Sequence, residues 1–325
     1  MSSSAFLTGA TGFVGSHLVD RLASRGWRLR ALVRSTSDTS LLESCGVELV
    51  RGDLADPEAI ARGADGVDVA YHLAAVTAAP SEAAYQHANA EGTAAVAEGL
   101  LRAPARPRRL VYLSSYAACG PMRDGRPRGA GETPHPLTGY GRSKLEGERR
   151  IRALEAVGIE VAVVRAPAVY GPRDRALLTY FRMVDRRLAP TPAGERKLHL
   201  IYAPDLARAL ERAAHAPAGT YAVAEPVVHT LGGLVDAIAA ALGKRPLRLP
   251  LPPPLVRAAA AATEGVGRMA GFTPAFNREK AEEMLAEGWV CDLSGSEALL
   301  PPGEATPLAE GVAHTARWYR NNGWL

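Results

Sequence analysis

The residues best suited to chemistry in this chain are a tyrosine and a lysine one helical turn apart, Tyr140 and Lys144. A phenol has an ordinary pKa of ~10 and is a weak acid–base group near neutral pH. An ammonium group four residues along the same helix face is expected to lower that pKa, and it can also hold a ribose hydroxyl. Ser115 ends an apolar strand upstream and can donate a hydrogen bond to a substrate oxygen. The three residues predict an acid–base site that interconverts a carbonyl and an alcohol.

A glycine loop near the N-terminus is suited to hold the cofactor that such chemistry needs. The loop follows a short apolar strand and precedes a helix. In such loops the first glycine permits a tight turn, the second lets the backbone approach a pyrophosphate, and the third lets the helix pack on the strand. The helix N-terminus then faces the phosphates. A glycine-rich turn without a ligand is the alternative, but the strand–loop–helix context favours dinucleotide binding. The predicted contacts are Gly9, Thr11, Gly12, Phe13, Val14 and Gly15.

The residue that follows the second predicted strand, 28–33, bears on the choice of cofactor. NAD sites place an acid at this point, where it accepts hydrogen bonds from the adenosine ribose. Here the strand is followed by Arg34, and the next acid is Asp38. A guanidinium can bind a 2′-phosphate through paired hydrogen bonds. The sequence therefore predicts a preference for NADP(H), with NAD(H) as an alternative; a solvated arginine in a turn is the competing interpretation.

Strand and helix patterns alternate through the first half of the chain. Apolar runs predict strands at 4–8, 28–33, 47–50, 67–73, 110–113 and 159–164, and helical spacing predicts long helices at 81–101 and 138–157. This alternation predicts an α/β fold with a doubly wound parallel sheet. Beyond Gly171 the regular alternation of strand and helix patterns ends, and prolines cluster. We expect a dinucleotide-binding Rossmann domain at 1–171, with 197–225 returning to its sheet, and a smaller, mostly helical substrate lobe at 172–196 and 226–325.

The composition narrows the possible partners. The 325 residues are 47% hydrophobic and 22% charged, with a net charge of +4 spread along the chain, so nucleic-acid binding is not expected. Three separated cysteines and eight histidines show no metal-ligand spacing, and no metal is expected. Neither a signal peptide nor a membrane-spanning run is predicted, so we expect no stable membrane insertion and a cytoplasmic location.

Further motifs give the whole chain a resemblance to a known family. They are Asp53-Leu54, His72-Leu73-Ala74-Ala75, Asn89-x-x-Gly92-Thr93, Ser114-Ser115, Arg165-Ala166-Pro167-Ala168-Val169-Tyr170-Gly171-Pro172 and Tyr202-Ala203-Pro204-Asp205-Leu206-Ala207. With the glycine loop and the Tyr–Lys pair, they resemble the extended short-chain dehydrogenases/reductases, the NAD-dependent epimerase/dehydratase family. Val33-Arg34 looks like the branch of the dihydroflavonol reductases and 3β-hydroxysteroid dehydrogenases.

The resemblance implies roles for particular residues. It implies a catalytic triad of Ser115, Tyr140 and Lys144. It places Asp53 and Leu54 near the adenine, Ala74 and Ala75 along the cofactor, and Pro167 and Val169 near the nicotinamide carboxamide. By the same analogy, the helices at 81–101 and 138–157 would form a homodimer interface.

We therefore expect an NADP(H)-dependent oxidoreductase that acts on the carbonyl or secondary alcohol of a fairly apolar small molecule. One alternative is a nucleotide-sugar epimerase or dehydratase that recycles its cofactor. Ala168 stands where those enzymes usually carry Asn, and Ala117 replaces a Thr, so this alternative is disfavoured. A second alternative, from a different class, is a non-catalytic NADP-sensing regulatory protein, which would not need the Tyr–Lys pair.

The sequence allows more than one role for each of two further segments. The segment 120–136, rich in Gly, Arg and Pro, is either a substrate loop or a disordered surface loop. The apolar segment 255–272 is a helix that packs the lobe, covers a lipophilic substrate or contacts a membrane surface. Cys119 is more simply a loop cysteine than an edge of the active site.

Overall fold

The computed structural model describes residues 3–129, 131–274 and 276–325. Its strands, in chain order, are β1 (Ser4–Thr8), β2 (Arg28–Val33), β3 (Glu48–Arg51), β4 (Val69–His72), β5 (Arg109–Ser115), β6 (Glu160–Ala166), β7 (Ala168–Tyr170), β8 (Leu188–Pro192), β9 (Lys197–Leu198), β10 (Leu200–Tyr202), β11 (Gly219–Ala222), β12 (His229–Thr230), β13 (Leu247–Leu251) and β14 (Gly288–Trp289).

The helices alternate with these strands in the first half and dominate the second. They are α1 (Phe13–Ser24), α2 (Ser40–Ser44), α3 (Pro57–Ala64), α4 (Glu82–Tyr85), α5 (Gly92–Arg102), α6 (Gly139–Arg152), α7 (Arg175–Asp185), α8 (Ala203–Ala213), α9 (Leu231–Leu242), α10 (Pro253–Ala270), α11 (Arg278–Leu285) and α12 (Leu308–Asn321). A π-helical turn, Gln86–Glu91, joins α4 to α5, and 3₁₀ turns follow β5 and α6.

Seven parallel strands form the central sheet, in the order β3-β2-β1-β4-β5-β6-β11. The inner strands are unbroken apolar runs because helices cover both faces of the sheet. The strand order reverses between β1 and β4, and a crevice opens at such a point beyond the carboxyl ends of the strands. The predicted doubly wound α/β Rossmann sheet is therefore confirmed.

Two buried layers hold the helices on the sheet. One face of the sheet packs against α1 and α8, through a cluster that includes Leu18, Leu22 and Leu206. The opposite face packs against α3, α5 and the end of α6, through Ile60, Leu100 and Ile151. Helix α3 is capped by Asp56, whose side chain accepts a hydrogen bond from the Ala59 amide at 2.9 Å.

Some predicted elements differ in the structure. The segment 197–225 was expected to return to the main sheet, but its strand β10 pairs instead with β7 in a separate two-stranded sheet. The end of the same segment does reach the main sheet, as β11 on β6. The predicted helix 81–101 is interrupted by the π-helical turn, where one extra residue per turn reorients the side chains.

The C-terminal helices form two further cores. Helices α7, α9 and α12 pack around Phe181, Ile238 and Tyr319. Helices α10 and α11 pack through a small cluster of Val256, Ala260 and Ala281. Within residues 3–129, 131–274 and 276–325, no helix has the length and apolar character needed to cross a membrane.

Candidate active site

The predicted site residues follow different strands of the central sheet, at one shared edge. Parallel strands all end on the same side, so residues that follow β1, β2, β3, β4, β5 and β6 lie along one crevice. Arg34, Asp53 and Leu54 lie on the β2–β3 side of this edge, and Ser115, Pro167 and Val169 lie on the β5–β6 side. The glycine loop and Ala74-Ala75 follow β1 and β4, between the two groups. This order suits an extended dinucleotide.

The glycine loop is shaped by close backbone contacts. Gly9 has a φ of +75°, and a Cβ atom there would lie 2.5 Å from the Ala74 amide nitrogen. A Cβ atom on Gly15 would lie 2.1 Å from the Gly9 carbonyl oxygen. Only glycine fits these two positions, because Cβ atoms do not approach backbone atoms so closely.

The first turn of α1 is open to a ligand. Gly12 is the N-cap residue, and no side chain caps the helix. Thr11 and Gly12 are exposed, while Phe13 and Val14 are partly buried at the start of the helix. Free amides at a helix N-terminus bind phosphate groups. The loop therefore fits the pyrophosphate of a nicotinamide dinucleotide.

The adenosine side of the crevice carries arginines. Arg34 is exposed directly after β2, and the Arg51 guanidinium donates to the Arg34 carbonyl oxygen at 3.3 Å. The Asp38 carboxylate accepts hydrogen bonds from Ser40, which hold the pKa of Asp38 below its usual value. The Asp38 carboxylate is therefore already hydrogen-bonded within its own turn. Asp53 is exposed, and its side chain caps its own turn by accepting from the Ala55 amide at 2.8 Å.

The three predicted catalytic residues lie on β5 and α6. Ser115 is the last residue of β5, and Tyr140 is the second residue of α6. The helix begins at the N-cap Thr138, whose hydroxyl accepts from the Gly141 amide at 3.2 Å. The helix then lies close against β5, since a Cβ atom on Gly147 would lie 2.5 Å from the Tyr112 hydroxyl.

The pKa of Tyr140 is raised to about 12, with burial as the largest cause. A hydrogen bond with Ser115 lowers this pKa, whereas Glu283 and Tyr85 raise it. Lys144 is not among the groups that shift this pKa here, so the predicted lowering by Lys144 does not operate in this arrangement of the side chains. Desolvation favours the neutral phenol, and the lysine ammonium is directed elsewhere.

Lys144 is almost fully buried beneath α6. Its Nζ donates to the Leu113 carbonyl oxygen at 2.8 Å and lies 4.2 Å from the centre of the Tyr112 ring. Burial lowers the pKa of Lys144 to about 7, while Glu148 acts to raise it. An amine with this pKa can exchange a proton near neutral pH.

Sequence reasoning missed a buried ion pair beneath the site. Glu148 pairs with Arg165, with 2.7 Å between Glu148 Oε2 and Arg165 Nη2, and it also accepts from the Ser114 hydroxyl. Tyr140, Lys144 and Glu148 are spaced four residues apart, so they share one face of α6. This spacing was the feature of the sequence that could have placed Glu148 beneath the site. The pair anchors α6 to β5 and β6.

Two residues quoted only as family motifs also have structural roles. The Asn89 amide accepts from the Val76 amide at 2.8 Å and donates to Ser143 Oγ at 2.9 Å, which ties the segment after β4 to α6. The ring nitrogens of His72 form hydrogen bonds with two hydroxyl groups, Nδ1 with Thr8 and Nε2 with Thr93. Burial lowers the pKa of His72 to about 3, so this ring is neutral at physiological pH.

The segment 120–136 packs against the C-terminal region where the structure describes it. Arg128 is buried and donates to the Pro121 and Thr133 carbonyl oxygens, at 3.1 and 3.2 Å. The Met122 amide donates to the Gly288 carbonyl oxygen. Cys119 is fully buried in a cluster with Tyr116 and Cys291. Ala130 of this segment lies outside the described residues.

The apolar segment 255–272 is mostly helix α10. Its inner face packs on α11, which supports the lobe-packing interpretation. Its outer face leaves Leu255, Val266, Met269 and Phe272 exposed. Among residues 3–129, 131–274 and 276–325, no three His, Cys, Asp or Glu side chains are grouped to hold a metal ion.

Comparisons with known proteins agree with this architecture. The model of the family described as "NAD dependent epimerase/dehydratase family" matches residues 5–224. The chain is 31% identical, over 98% of its length and 95% of the relative, to "Ceramide reductase" of Caulobacter vibrioides. It is 29% identical, over 98% of its length and 99% of the relative, to "Sterol demethylase protein B" of Methylococcus capsulatus.

A solved structure shares the whole fold. "Crystal structure of gox2253" superposes with a TM-score of 0.81 and 26% identity, covering 100% of both chains. Together with the family match, this shows that the chain is a member of the NAD-dependent epimerase/dehydratase family, the extended short-chain dehydrogenases/reductases, and is an NAD(P)-dependent oxidoreductase.

Proposed function

We propose that this protein is an NADP(H)-dependent reductase or dehydrogenase that interconverts a ketone and a secondary alcohol on a lipid-like small molecule. The observation that carries the proposal is the placement of Ser115 and Tyr140 together at the carboxyl end of β5, beside the glycine loop's crevice. The relatives named as a ceramide reductase and a sterol demethylase protein favour an apolar substrate.

The proposed acid–base step uses groups of this chain. Bound NADP(H) supplies or accepts the hydride at the carbonyl carbon. In the reduction direction, Ser115 donates a hydrogen bond to the carbonyl oxygen and Tyr140 transfers its proton to that oxygen as the C–O double bond becomes single. A pKa of about 12 keeps Tyr140 protonated, so it is ready to act as the acid. In the reverse direction the phenolate must form, and a positive charge placed nearby favours it.

Lys144 has two proposed tasks. Its ammonium can hold the ribose hydroxyls of the nicotinamide half, and its charge can favour the phenolate of Tyr140. In the structure the amine is bound by Leu113 and Tyr112 instead. We infer that Lys144 changes its side-chain rotamer when the cofactor binds.

The preference for NADP(H) is proposed from the charge around the adenosine end. Arg34 is exposed after β2, the Arg51 guanidinium at the end of β3 donates to the Arg34 carbonyl oxygen, and the first acid after β2, Asp38, is hydrogen-bonded to Ser40. A 2′-phosphate placed here would meet guanidinium groups. We also propose that the cofactor contacts Asp53, Leu54, Ala74, Ala75, Pro167 and Val169.

The domain division and the homodimer are likewise proposals. We propose that 172–196 and 226–325 bind the substrate, while 1–171 and 197–225 bind the cofactor. Pairing through the helices around α5 and α6 would form the dimer. Light scattering on the purified protein gives the oligomeric state directly, and a monomer would exclude this arrangement.

The test of the proposed function combines turnover with cofactor binding. Wild-type protein should oxidise NADPH stoichiometrically with an apolar ketone, which separates it from an epimerase that recycles its cofactor. Tyr140→Phe should lose ~10²–10⁴-fold in turnover while binding NADPH normally. Tyr221→Phe, far from the site on β11, is the matched control. Near-normal turnover of the Tyr140 variant would reject the assigned role.

A further inference from the structure

The N-terminal end of α6 carries no acid of its own. Helices are usually stabilised there by acidic residues in the first turn or by a capping box. After its N-cap Thr138, α6 starts with Gly139-Tyr140-Gly141-Arg142. Because Tyr140 is the second residue of the helix, whatever satisfies this end of the helix also fixes the position of the phenol.

Two carboxylates of α11 take the place of the missing acids. Glu279 Oε1 accepts from the Gly139 amide at 2.7 Å, although the two residues are 140 positions apart. The Thr138 hydroxyl donates to Glu283 Oε1 at 3.2 Å. Helix α11 is therefore attached to the first turn of the helix that carries Tyr140.

The contact at Gly139 is close. A Cβ atom at this position would lie 2.8 Å from Glu279 Oε1 and 3.3 Å from the Cβ of Glu82. A larger residue would therefore push the carboxylate away. The other oxygen, Glu279 Oε2, is buried and has no hydrogen-bond partner among the residues that the structure describes. An unpaired buried oxygen is costly, so the hydrogen bond from the Gly139 amide matters for holding this carboxylate, beside the bond from the Thr138 hydroxyl to Glu283.

The geometry points to Glu279 as a positioning residue: with Glu283, it docks α11 on the first turn of α6 and fixes the position of Tyr140 for the acid–base step. The inference rests on the role proposed for Tyr140. It assigns to α11 a function in the reaction rather than in packing alone.

Glu283 also acts on the phenol through its charge, which raises the pKa of Tyr140. Tyr140 faces Ser115 and Tyr112 from β5, Tyr85 from α4 and Glu283 from α11. The other charged groups near this end are Lys144 on α6 itself, the Arg142–Glu82 pair, and Lys280, which pairs with Glu283 at 2.7 Å. Removing the negative charge of Glu283 should favour the phenolate and lower the pKa of Tyr140.

The test compares three variants of one helix. Glu279→Ala removes both the acceptor and the charge, whereas Glu279→Gln keeps an acceptor oxygen and removes only the charge. Glu282→Ala is the matched control, because Glu282 lies on the same helix but pairs with Arg257 of α10, at 2.7 Å. Exposed pairs of that kind contribute little to stability.

We expect Glu279→Ala to lower kcat/KM for the ketone about 10-fold, with an unchanged dissociation constant for NADPH. Glu279→Gln should recover most of kcat. A further variant, Glu283→Gln, should lose reductase activity at a lower pH than wild type does, because Glu283 raises the pKa of Tyr140 and its removal lets the phenolate form sooner. Kinetics of Glu279→Ala identical to those of Glu282→Ala would overturn the inference.

Amide hydrogen exchange tests the attachment without relying on activity. The Gly139 amide should exchange faster in Glu279→Ala than in Glu282→Ala, because its acceptor is gone. Equal exchange would overturn the inference, even if wild-type protein proved to have a different activity. A global loss of folding and cofactor binding in both Glu279 variants would also overturn it, since the role would then be structural only.

Discussion

The glycine loop offers the sharpest quantitative prediction, because the chain contains a matched pair of glycines. Gly9 and Gly26 both have a φ of +75°. A Cβ atom on Gly9 would lie 2.5 Å from Ala74 N, whereas a Cβ atom on Gly26 would have nothing within 4 Å. Alanine at either site therefore suffers the same backbone strain, and only alanine at Gly9 also suffers the overlap.

The magnitudes follow from these two effects. The left-handed conformation costs an alanine about 1–2 kcal/mol. Overpacking adds about 1–3 kcal/mol at Gly9. We expect Gly26→Ala to destabilise the protein by about 1–2 kcal/mol and Gly9→Ala by about 2–5 kcal/mol. If the loop shifts to relieve the overlap, cofactor binding loses the overpacking energy instead, about 1–3 kcal/mol, or about 5- to 150-fold in the dissociation constant.

The assay is denaturant unfolding of both variants, together with titration of NADPH into each. Gly26→Ala should bind NADPH like wild type, since Gly26 lies beyond the C-terminal end of α1, away from the crevice. Equal stability losses and equal NADPH affinities for the two variants would refute the argument that Gly9 is required by the close approach to Ala74.

Three further predictions follow from other parts of the structure. Arg34→Asp should move the ratio of kcat/KM for NADPH and NADH at least 10-fold toward NADH, measured by steady-state kinetics; an unchanged ratio would remove Arg34 from the cofactor site. Gly147→Ala should push α6 away from Tyr112 and cost about 1–3 kcal/mol in unfolding free energy, with normal stability counting against the tight packing. The pKa of His72 is about 3 in the folded protein and ~6.5 in the unfolded chain. Between pH 3 and about 6.5 the unfolded chain therefore binds a proton that the folded protein does not. The free energy of unfolding should fall as the pH drops through this range. His72→Asn should make that fall shallower by up to about 1.4 kcal/mol per pH unit, and an identical slope would show that the ring is not buried as described.

Much of the fold could be predicted from the sequence because its signals are local. The apolar runs of β1, β2 and β5, the Asp56 cap of α3 and the glycine spacing each depend on a few adjacent residues. The order of these signals along the chain was enough to specify a parallel sheet, since crossovers between parallel strands have one preferred hand.

The parts that could not be predicted depend on contacts between distant residues. Leu200–Tyr202 has the apolar pattern of a central strand, but its partner is β7, and no local pattern specifies that choice. The pKa of Tyr140 was predicted from Lys144 alone, whereas burial is its largest cause, followed by the hydrogen bond with Ser115 and the charge of the distant Glu283. Glu279 showed no signal at all, because its partner Gly139 is 140 positions away.

The central claim is that Tyr140 delivers a proton while hydride passes from NADPH to a ketone carbon. A single-turnover reaction with NADPH deuterated at nicotinamide C4 and an apolar ketone tests it most directly. Wild-type protein should place one deuterium on the carbinol carbon of the product, and Tyr140→Phe with NADPH bound should give almost none. Deuterium that stays on the cofactor in wild type, or equal transfer in both proteins, would contradict the account.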